Sequence, residues 1–149
     1  MVALIHDGAG NICAVHRTFL ALDGNKATIE PVKASIGYFS GGAIRLDPAG
    51  AEMVIAEGIE TAASAGFILG KPAWAAIACG NLRAKLVLPP IVERVTIAAD
   101  HDPAGRRAAA AAARRWRKEG RTVRIVQADQ PGQDFNDLLM TGRRFTHAG

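Results

Sequence analysis

The pattern of apolar and polar positions changes near residue 48, and this change divides the chain into two parts. In residues 1–47, short apolar stretches alternate with turns rich in Gly, Asn and Asp, a pattern typical of β-hairpins. From residue 48 onward, short apolar runs alternate with longer helical segments, which predicts parallel strands joined by right-handed crossovers. The sequence therefore predicts an α/β fold: a small antiparallel β subdomain over residues 1–47, then a mostly parallel sheet flanked by helices over residues 48–149.

The individual elements follow from the apolar runs and from the Gly and Pro residues that bound them. Strands are expected over residues 2–5, 12–20, 27–29, 33–39, 43–46, 53–56, 74–78, 92–99 and 122–128. Helices are expected over residues 59–69, 81–86, 103–118 and 135–140. Pro131 and Gly132 are expected to turn the chain before the last helix. The polar residues 141–149 are expected to form an unpaired tail.

The composition is that of a folded globular protein, since 49% of the 149 residues are hydrophobic and 21% are charged. No apolar run approaches the roughly 20 residues that a membrane-spanning helix needs, and no signal peptide is evident at the N-terminus. Cys13 and Cys79 lie far apart and lack zinc-binding spacing, so we expect two free thiols. A cytoplasmic protein without a membrane partner is the corresponding expectation.

The net charge of +4 comes from the second part of the chain, because the charges of residues 1–47 cancel. It is densest between Arg106 and Arg124, where eight Lys and Arg residues accompany a single acid, Glu119. Such a segment is compatible with a polyanionic partner such as nucleic acid. The solvated face of an Ala-rich helix has a similar composition, so the charge alone favours nucleic-acid binding only slightly.

Two carboxylates mark the end of the predicted central strand. The apolar run over residues 95–99 stops at Asp100, and Asp102 follows two positions later, before a Pro and a Gly that begin a long helix. Carboxylates this close repel each other unless a cation lies between them, and a hard divalent cation is the usual partner. Alternatively, the two aspartates form an Asx turn and cap the following helix. The pair alone does not decide between these interpretations.

Further acids follow two other predicted strands. Glu57 directly follows one of them, and Asp134 and Asp137 follow the other. Because the carboxyl ends of parallel strands share one edge of a sheet, these acids are expected to converge on one crevice with Asp100, which favours a metal site. Their alternative roles are to stabilise a helix N-terminus, for Glu57, and to form a helix cap, for Asp134 and Asp137. Glu60 is expected at the surface or in a cap.

Three motifs together resemble the Toprim domain, which bacterial-type primases, topoisomerases, recombination-repair proteins and some nucleases share. They are Glu-Gly at residues 57–58, Asp-x-Asp-x-x-Gly at residues 100–105 and the Asp-rich turn at residues 132–139. In detail, residues 55–61 and 132–139 resemble the phage- and plasmid-type primase branch. Residues 1–47 are similar, more weakly, to the small basic subdomain that precedes Toprim in those primases.

The resemblance implies Mg²⁺ or Mn²⁺ as cofactor and a set of acidic ligands for it. The implied ligands are Glu57, Asp100, Asp102, Asp134 and Asp137. The first three of these would also be the catalytic residues. Thr61 and Asn136 stand where many members have further acids. The resemblance therefore implies one tightly held ion with a weaker second one, rather than a full multi-metal site.

Four basic residues are candidates for contacting nucleotide or nucleic acid. Arg17 and Lys33 stand near where the resembled primases place basic residues that face nucleotide and template. Arg106 and Arg107 begin the long predicted helix, near the expected metal edge, where they are suited to hold phosphate. His101, between the two aspartates, is expected to point away from them if the backbone stays extended, and it is a weak candidate for a catalytic base.

The resemblance implies metal-dependent nucleotidyl transfer on nucleic acid, namely primase-like RNA primer synthesis on single-stranded DNA. Its partners would be single-stranded DNA and NTPs, in the context of a helicase or of a longer polypeptide of which this chain is a fragment. Two alternatives stay open: a Toprim-type metal-dependent nuclease that uses the same acids, and a non-catalytic nucleic-acid-binding module. The β subdomain favours the primase over the nuclease. No Walker-type phosphate loop is present.

Overall fold

The computed structural model describes residues 1–130 and 133–141 and the backbone of residues 145–148, and these contain nine strands and four helices. The strands are β1 Val2–His6, β2 Ile12–Thr18, β3 Lys33–Gly37, β4 Ala43–Arg45, β5 Glu52–Ala56, β6 Ala73–Ala75, β7 Arg94–Ala99, β8 Thr122–Ala128 and β9 Phe145–Ala148. The helices are α1 Ile59–Leu69, α2 Cys79–Ala84, α3 Pro103–Lys118 and α4 Phe135–Thr141.

All the described strands belong to one sheet, in the order β3-β2-β1-β4-β6-β5-β7-β8-β9. The central strands β6, β5, β7 and β8 run parallel to one another. The first four strands pair antiparallel, and β4 joins the parallel strands by pairing antiparallel with β6. The predicted α/β fold, with a parallel sheet between helices after an antiparallel β region, is confirmed.

Two hydrophobic layers cover the two faces of the parallel strands. On β5, Met53 and Ile55 pack into the layer beneath α2 and α3, whereas Val54 and Ala56 pack into the layer beneath α1 and α4. All four side chains are fully buried, as expected for a parallel strand that helices cover on both faces. Trp116 of α3 is also fully buried in the first layer.

The start and end of α3 follow directly from its sequence. Asp102 is its N-cap and Pro103 its first residue, where a missing backbone N–H costs nothing. Four alanines of the helix, Ala108, Ala109, Ala112 and Ala113, are buried in the layer between helix and sheet, and their small side chains let the helix approach the sheet closely. The helix ends before Gly120, whose φ of 88° lies in the left-handed region that glycine tolerates.

Some predicted elements differ from the structure. The strand expected over residues 27–29 does not form, and only an isolated bridge joins Leu20 to Lys26. The predicted strand over residues 74–78 stops at Ala75, because Ile77 adopts a φ of 76° that breaks the extended backbone. The expected unpaired tail is wrong for β9, which pairs antiparallel with the edge strand β8.

Two further expectations concern the turn before α4 and membrane spanning. The predicted turn at Pro131 and Gly132 lies outside the described residues. Among the helices that the structure describes, none combines the length and apolarity needed to cross a lipid bilayer.

Candidate metal centre

The carboxyl ends of the parallel strands surround an acidic pocket of about 380 Å³. Glu57 follows β5, Asp100 and Asp102 follow β7, and Asp134 precedes α4, so the sheet topology brings residues distant in sequence to one edge. Other side chains on the pocket wall are Lys26, Lys33, Glu60, Thr61, Ile77, His101 and Gln133. Four of the five acids expected as metal ligands thus line one cavity.

Asp100 is the acid with the most perturbed protonation equilibrium in this pocket. Burial, together with repulsion from Glu57, Asp102 and Asp134, raises the pKa of its carboxyl group to about 6, and Lys33 acts in the opposite direction. Burial is the largest cause of this shift, and the three neighbouring carboxylates add to it by disfavouring a further negative charge at Asp100. The pocket therefore favours an added positive charge.

Gly105 explains the spacing of the Asp-x-Asp-x-x-Gly motif. A Cβ atom at this position would lie 2.8 Å from the carbonyl oxygen of Asp100 and 3.0 Å from its Cβ. Real Cβ atoms do not approach backbone atoms this closely, so only glycine lets the first turn of α3 press against Asp100. The motif is consequently a packing requirement as well as a set of acids.

Asp102 and Asp134 both cap helices, as the alternative interpretation predicted. Oδ1 of Asp102 accepts a hydrogen bond from the backbone N–H of Gly105 at 2.7 Å. Oδ1 of Asp134 accepts from the backbone N–H of Asp137 at 2.9 Å, and Oδ2 of Asp137 accepts from the N–H of Asp134 at 3.1 Å. Each cap uses only Oδ1 of its aspartate, so Oδ2 of Asp102 and Oδ2 of Asp134 take no part in capping.

Asp137, the fifth acid expected as a ligand, does not line the pocket. Its side chain turns back to the backbone of Asp134 and is exposed to solvent. The reciprocal capping box fixes this orientation, because both carboxylates satisfy backbone donors at the start of α4. The structure thus separates Asp137 from the other four acids.

Glu57 receives a hydrogen bond from Cys79, which the sequence pattern indicates only as a free thiol. Sγ of Cys79, the first residue of α2, lies 2.6 Å from Oε2 of Glu57. Burial, then the contact with Glu57 and the nearby charges of Asp102 and Asp100, raise the pKa of the Cys79 thiol to about 12. The thiol therefore stays protonated near neutral pH and can donate to the carboxylate.

Two lysines bind one acid on the pocket wall. Nζ of Lys26 and Nζ of Lys33 each lie 3.6 Å from the carboxylate of Glu60. Burial acts to raise the pKa of Glu60, but its own backbone N–H and the two ammonium groups together hold that pKa below its usual range. Glu60, expected at the surface or in a cap, instead contacts the basic side of the pocket, and Lys26 carried no signal in the sequence.

The profile of the Toprim domain family matches residues 52–144, which is more than half of the chain. The chain belongs to the Toprim domain family. Residues 1–46 match a second family, a domain of unknown function (DUF7146). No curated protein matches the chain.

Solved primase structures share the fold of this Toprim chain. The primase fragment of the bacteriophage T7 primase-helicase protein is 23% identical with a TM-score of 0.62, and the match covers 95% of this chain and 58% of that one. A DNA primase domain from Pseudomonas aeruginosa is 16% identical with a TM-score of 0.60, covering 97% and 50%. The DnaG catalytic core is 17% identical with a TM-score of 0.63, covering 93% and 47%. The chain thus spans about half the length of these structures.

The donor set of the Toprim pocket fits a hard divalent cation. Toprim domains generally bind divalent metal ions. In the described parts of this chain, no three His, Cys, Asp or Glu side chains are grouped closely enough to enclose an ion by themselves. Mg²⁺ commonly takes only one or two protein carboxylates and keeps several waters. The open cavity beside Asp100, with the carboxylates that line it, suits that mode of binding.

The predicted basic residues lie in different places around this Toprim fold. Lys33 lines the pocket, whereas Arg17, on β2, is exposed on the opposite face of the sheet and stacks on Phe19. Arg106 and Arg107 are exposed on the first turns of α3, outside the acidic pocket.

His101 lies on the pocket wall, but one of its ring nitrogens is engaged by the neighbouring strand. Nδ1 of His101 lies 2.8 Å from the carbonyl oxygen of Ala128 in β8. This contact holds the ring towards β8 and assigns the proton of a neutral imidazole to Nδ1. Only Nε2 is then left to meet a group in the pocket.

Proposed function

We propose that this chain is the catalytic part of a primase-like nucleotidyltransferase, which makes short RNA primers from NTPs on single-stranded DNA. The observation that carries this proposal is the convergence of Glu57, Asp100, Asp102 and Asp134 on one pocket, with a raised pKa at Asp100. We further propose a functional division into residues 1–47, which supply basic side chains, and residues 48–149, which supply the acids.

Asp100 and Asp102 are the proposed main ligands of Mg²⁺ or Mn²⁺, and Glu57 and Asp134 lie where a weaker second ion would be held. When bound, the metal neutralises triphosphate charge and favours ionisation of the attacking 3′-hydroxyl. The protein positions these carboxylates through contacts that do not involve metal. Gly105 packs against the backbone of Asp100, the cap of α3 orients Asp102, and the Cys79 thiol donates a hydrogen bond to Glu57.

Lys26 and Lys33 are the proposed triphosphate-binding residues. Both come from the first part of the chain and line the same pocket as the acids. Their ion pairs with Glu60 are 3.6 Å long and partly exposed, so each contributes little stability and is readily exchanged for a phosphate. A nucleotide bound there would have its phosphates between these ammonium groups and the proposed metal ligands.

This placement favours primer synthesis over the two alternatives. A nuclease would use the same acids, but it has no need of lysines from residues 1–47 on the wall of the acidic pocket. A non-catalytic binding module has no evident reason to retain a carboxylate such as Asp100, whose ionisation disfavours the folded state at neutral pH. A helicase or a longer polypeptide remains the proposed context, because the chain spans only part of the primase structures that it resembles.

A primer synthesis assay tests the proposal. Incubation with NTPs, Mn²⁺ or Mg²⁺ and single-stranded DNA templates of varied sequence should yield short labelled ribonucleotide products. Asp100→Asn should abolish these products, whereas Asn11→Ala, an exposed substitution outside the pocket, should not. Shortening of an end-labelled strand without NTPs would instead support the nuclease. Absence of both activities, with DNA binding retained, would support the binding module.

A further inference from the structure

A basic groove lies beside Cys79, outside the acidic pocket. It has a volume of about 240 Å³ and is formed where α2 and α3 meet, and its wall consists of Cys79, Gly80, Arg83, Ala104, Arg107 and Ala108. Cys79 is part of this wall, and its Sγ contacts Glu57 of the acidic pocket. The basic groove and the candidate metal centre are therefore direct neighbours.

An aromatic groove of about 400 Å³ adjoins the basic groove, and the two share Gly80. Its walls include Tyr38 and Phe39 from the loop between β3 and β4, and Lys85 at the end of α2. Tyr38, the only tyrosine in the sequence, is 79% exposed. This exposure is unusual for a side chain with a large apolar ring. An exposed ring at the wall of a groove is a suitable surface for stacking a nucleic-acid base.

Asn81 holds the loop between β3 and β4, which carries Tyr38 and Phe39, against α2. Its Oδ1 accepts from the backbone N–H of Gly41 at 2.8 Å, and its Nδ2 donates to the carbonyl oxygens of Gly42 and Ala76, both at 2.8 Å. Because the side chain is 95% buried and fully hydrogen-bonded, it fixes the loop relative to the helix that carries Arg83. The two grooves consequently form one preorganised surface.

The arginines of the basic groove differ from most other basic residues nearby. Arg115, Arg117 and Arg121 donate to backbone carbonyls of the fold. Within the part of the chain that the structure describes, the guanidinium groups of Arg83 and Arg107 form neither an ion pair nor a hydrogen bond. No acidic residue is found on the described walls of either groove. The positive charges of Arg83 and Arg107 are therefore available to an anionic ligand.

The basic surface extends along α3 beyond the groove. Arg107, Arg114 and Lys118 are exposed and separated by seven and four positions, a spacing that places them on one face of a helix. With a rise of about 1.5 Å per residue, they form a line of roughly 16 Å. The line begins in the basic groove, so its charge continues the same surface rather than forming an unrelated solvated face.

We propose that single-stranded DNA binds along these two grooves, with a base stacked on Tyr38 and phosphates held by Arg83 and Arg107. The inference rests on the proposed function, since it gives the path of the template strand next to the acidic pocket. Stacking on an aromatic ring is insensitive to base identity, and guanidinium groups match phosphate geometry. A stacking ring in one groove and phosphate-binding groups in the adjoining groove favour an unpaired strand over a duplex, because the bases of a duplex are not free to stack on a side chain.

Fluorescence anisotropy with a labelled single-stranded oligodeoxynucleotide tests this path, with EDTA present and NTPs absent. Arg83→Gln/Arg107→Gln should weaken binding and reduce the slope of log affinity against log salt by about 1.4, because each phosphate contact on a single strand contributes about 0.7. Lys71→Gln/Arg94→Gln removes the same charge near Glu52, at the opposite end of the parallel strands, and should leave the slope unchanged.

Tyr38 provides an independent test of stacking. Tyr38→Ala should weaken binding of the single strand at least fivefold, and Tyr38→Phe should retain the wild-type affinity because the ring remains. Neither change should affect the affinity for a duplex of the same sequence. Circular dichroism melting curves verify that each variant is folded.

The outcomes separate this proposal from the proposed function. Loss of affinity in Arg83→Gln/Arg107→Gln and in Tyr38→Ala supports the path even if no primers are made, because the binding assay contains neither metal nor NTPs. An unchanged salt slope in Arg83→Gln/Arg107→Gln, or equal single-strand affinity of wild type and Tyr38→Ala, overturns the path. Primer synthesis by the wild type together with either of these results would leave the proposed function intact and place the template elsewhere.

Discussion

Gly105 and Asp100 contact each other so closely that no side chain fits between them. A Cβ on Gly105 would lie 2.8 Å from the Asp100 carbonyl oxygen, and this oxygen belongs to the backbone and has little room to move. The contact joins the end of the central strand β7 to the first turn of α3. It therefore determines both the packing of that helix and the position of the acid with the raised pKa.

Gly105→Ala should destabilise the protein and weaken Mn²⁺ binding. The added methyl group must push α3 away from Asp100, and overpacking of this kind costs about 1–3 kcal/mol of unfolding free energy. Urea denaturation and calorimetric Mn²⁺ titration measure the two effects. Gly80→Ala is the matched control for stability, since a Cβ there meets no atom within 4 Å. Equal unfolding free energies for the two variants would contradict the packing role of Gly105.

Asp100→Asn should stabilise the metal-free protein at pH 7. The pKa of Asp100 is raised from 3.8 to about 6 in the folded state, so the folded protein binds a proton more tightly than the unfolded chain. The contribution of this group to stability is therefore greatest below pH 4, falls as the pH rises from 4 to 6, and stays low above. After allowance for partial solvent exposure, we expect a gain of about 1–2 kcal/mol at pH 7.

Denaturation of the metal-free protein between pH 4 and pH 8 measures this effect. The difference in unfolding free energy between Asp100→Asn and wild type should be small near pH 4 and should grow up to about pH 6. Asp102→Asn keeps a good N-cap but removes one of the charges that raise the pKa of Asp100, so it should reduce the pH dependence without abolishing it. A difference that does not vary with pH would count against the raised pKa.

Asn81→Ala should cost about 2–4 kcal/mol of unfolding free energy. The substitution leaves the backbone groups of Gly41, Gly42 and Ala76 without their buried partner. Chemical denaturation followed by circular dichroism gives the value. Asn25→Ala, which removes only one exposed side-chain hydrogen bond, from Nδ2 of Asn25 to Oδ2 of Asp23, should change stability by less than about 1 kcal/mol. Comparable losses in both variants would argue against Asn81 as the link between the loop and α2.

Cys79→Ala should weaken binding of the second, weaker Mn²⁺ ion by about tenfold, because it removes a hydrogen bond to Glu57, a proposed ligand of that ion. The thiol is 2.6 Å from Oε2 of Glu57, and removing it frees that carboxylate to rotate. Cys79→Ser keeps a hydrogen-bond donor and should restore most of the affinity in calorimetry. If alanine and serine variants bind Mn²⁺ equally well, Glu57 does not depend on this donor.

The order of the elements and the convergence of the acids could be predicted because both follow from local patterns and sheet topology. Strand ends are visible as apolar runs that stop at an acid, as at Asp100, and parallel connectivity then places them together. The caps at Asp102 and Asp134 were also predictable, since they depend on residues only three positions apart.

The remaining features depend on contacts between distant segments. Lys26 meets Glu60 across 34 positions of sequence, and Asn81 joins Gly41 across 40, and neither pair has a local signal. The carboxylate of Asp137 could have served as a metal ligand or as part of a helix cap, and the spacing of the acids does not distinguish these roles. In the structure it forms the cap and lies outside the pocket. Pairing of β9 depends on the free edge of β8 rather than on the polar residues of the tail.

Calorimetric titration of Mn²⁺ into wild type, Asp100→Asn and Asp102→Asn tests whether these two aspartates bind the metal. Both substitutions keep the side-chain shape, and Asp102→Asn keeps the helix cap, so circular dichroism spectra should match the wild type. Saturable Mn²⁺ binding is expected in the wild type and should be lost in both variants. Mn²⁺ affinity that is unchanged in both folded variants would contradict this expectation.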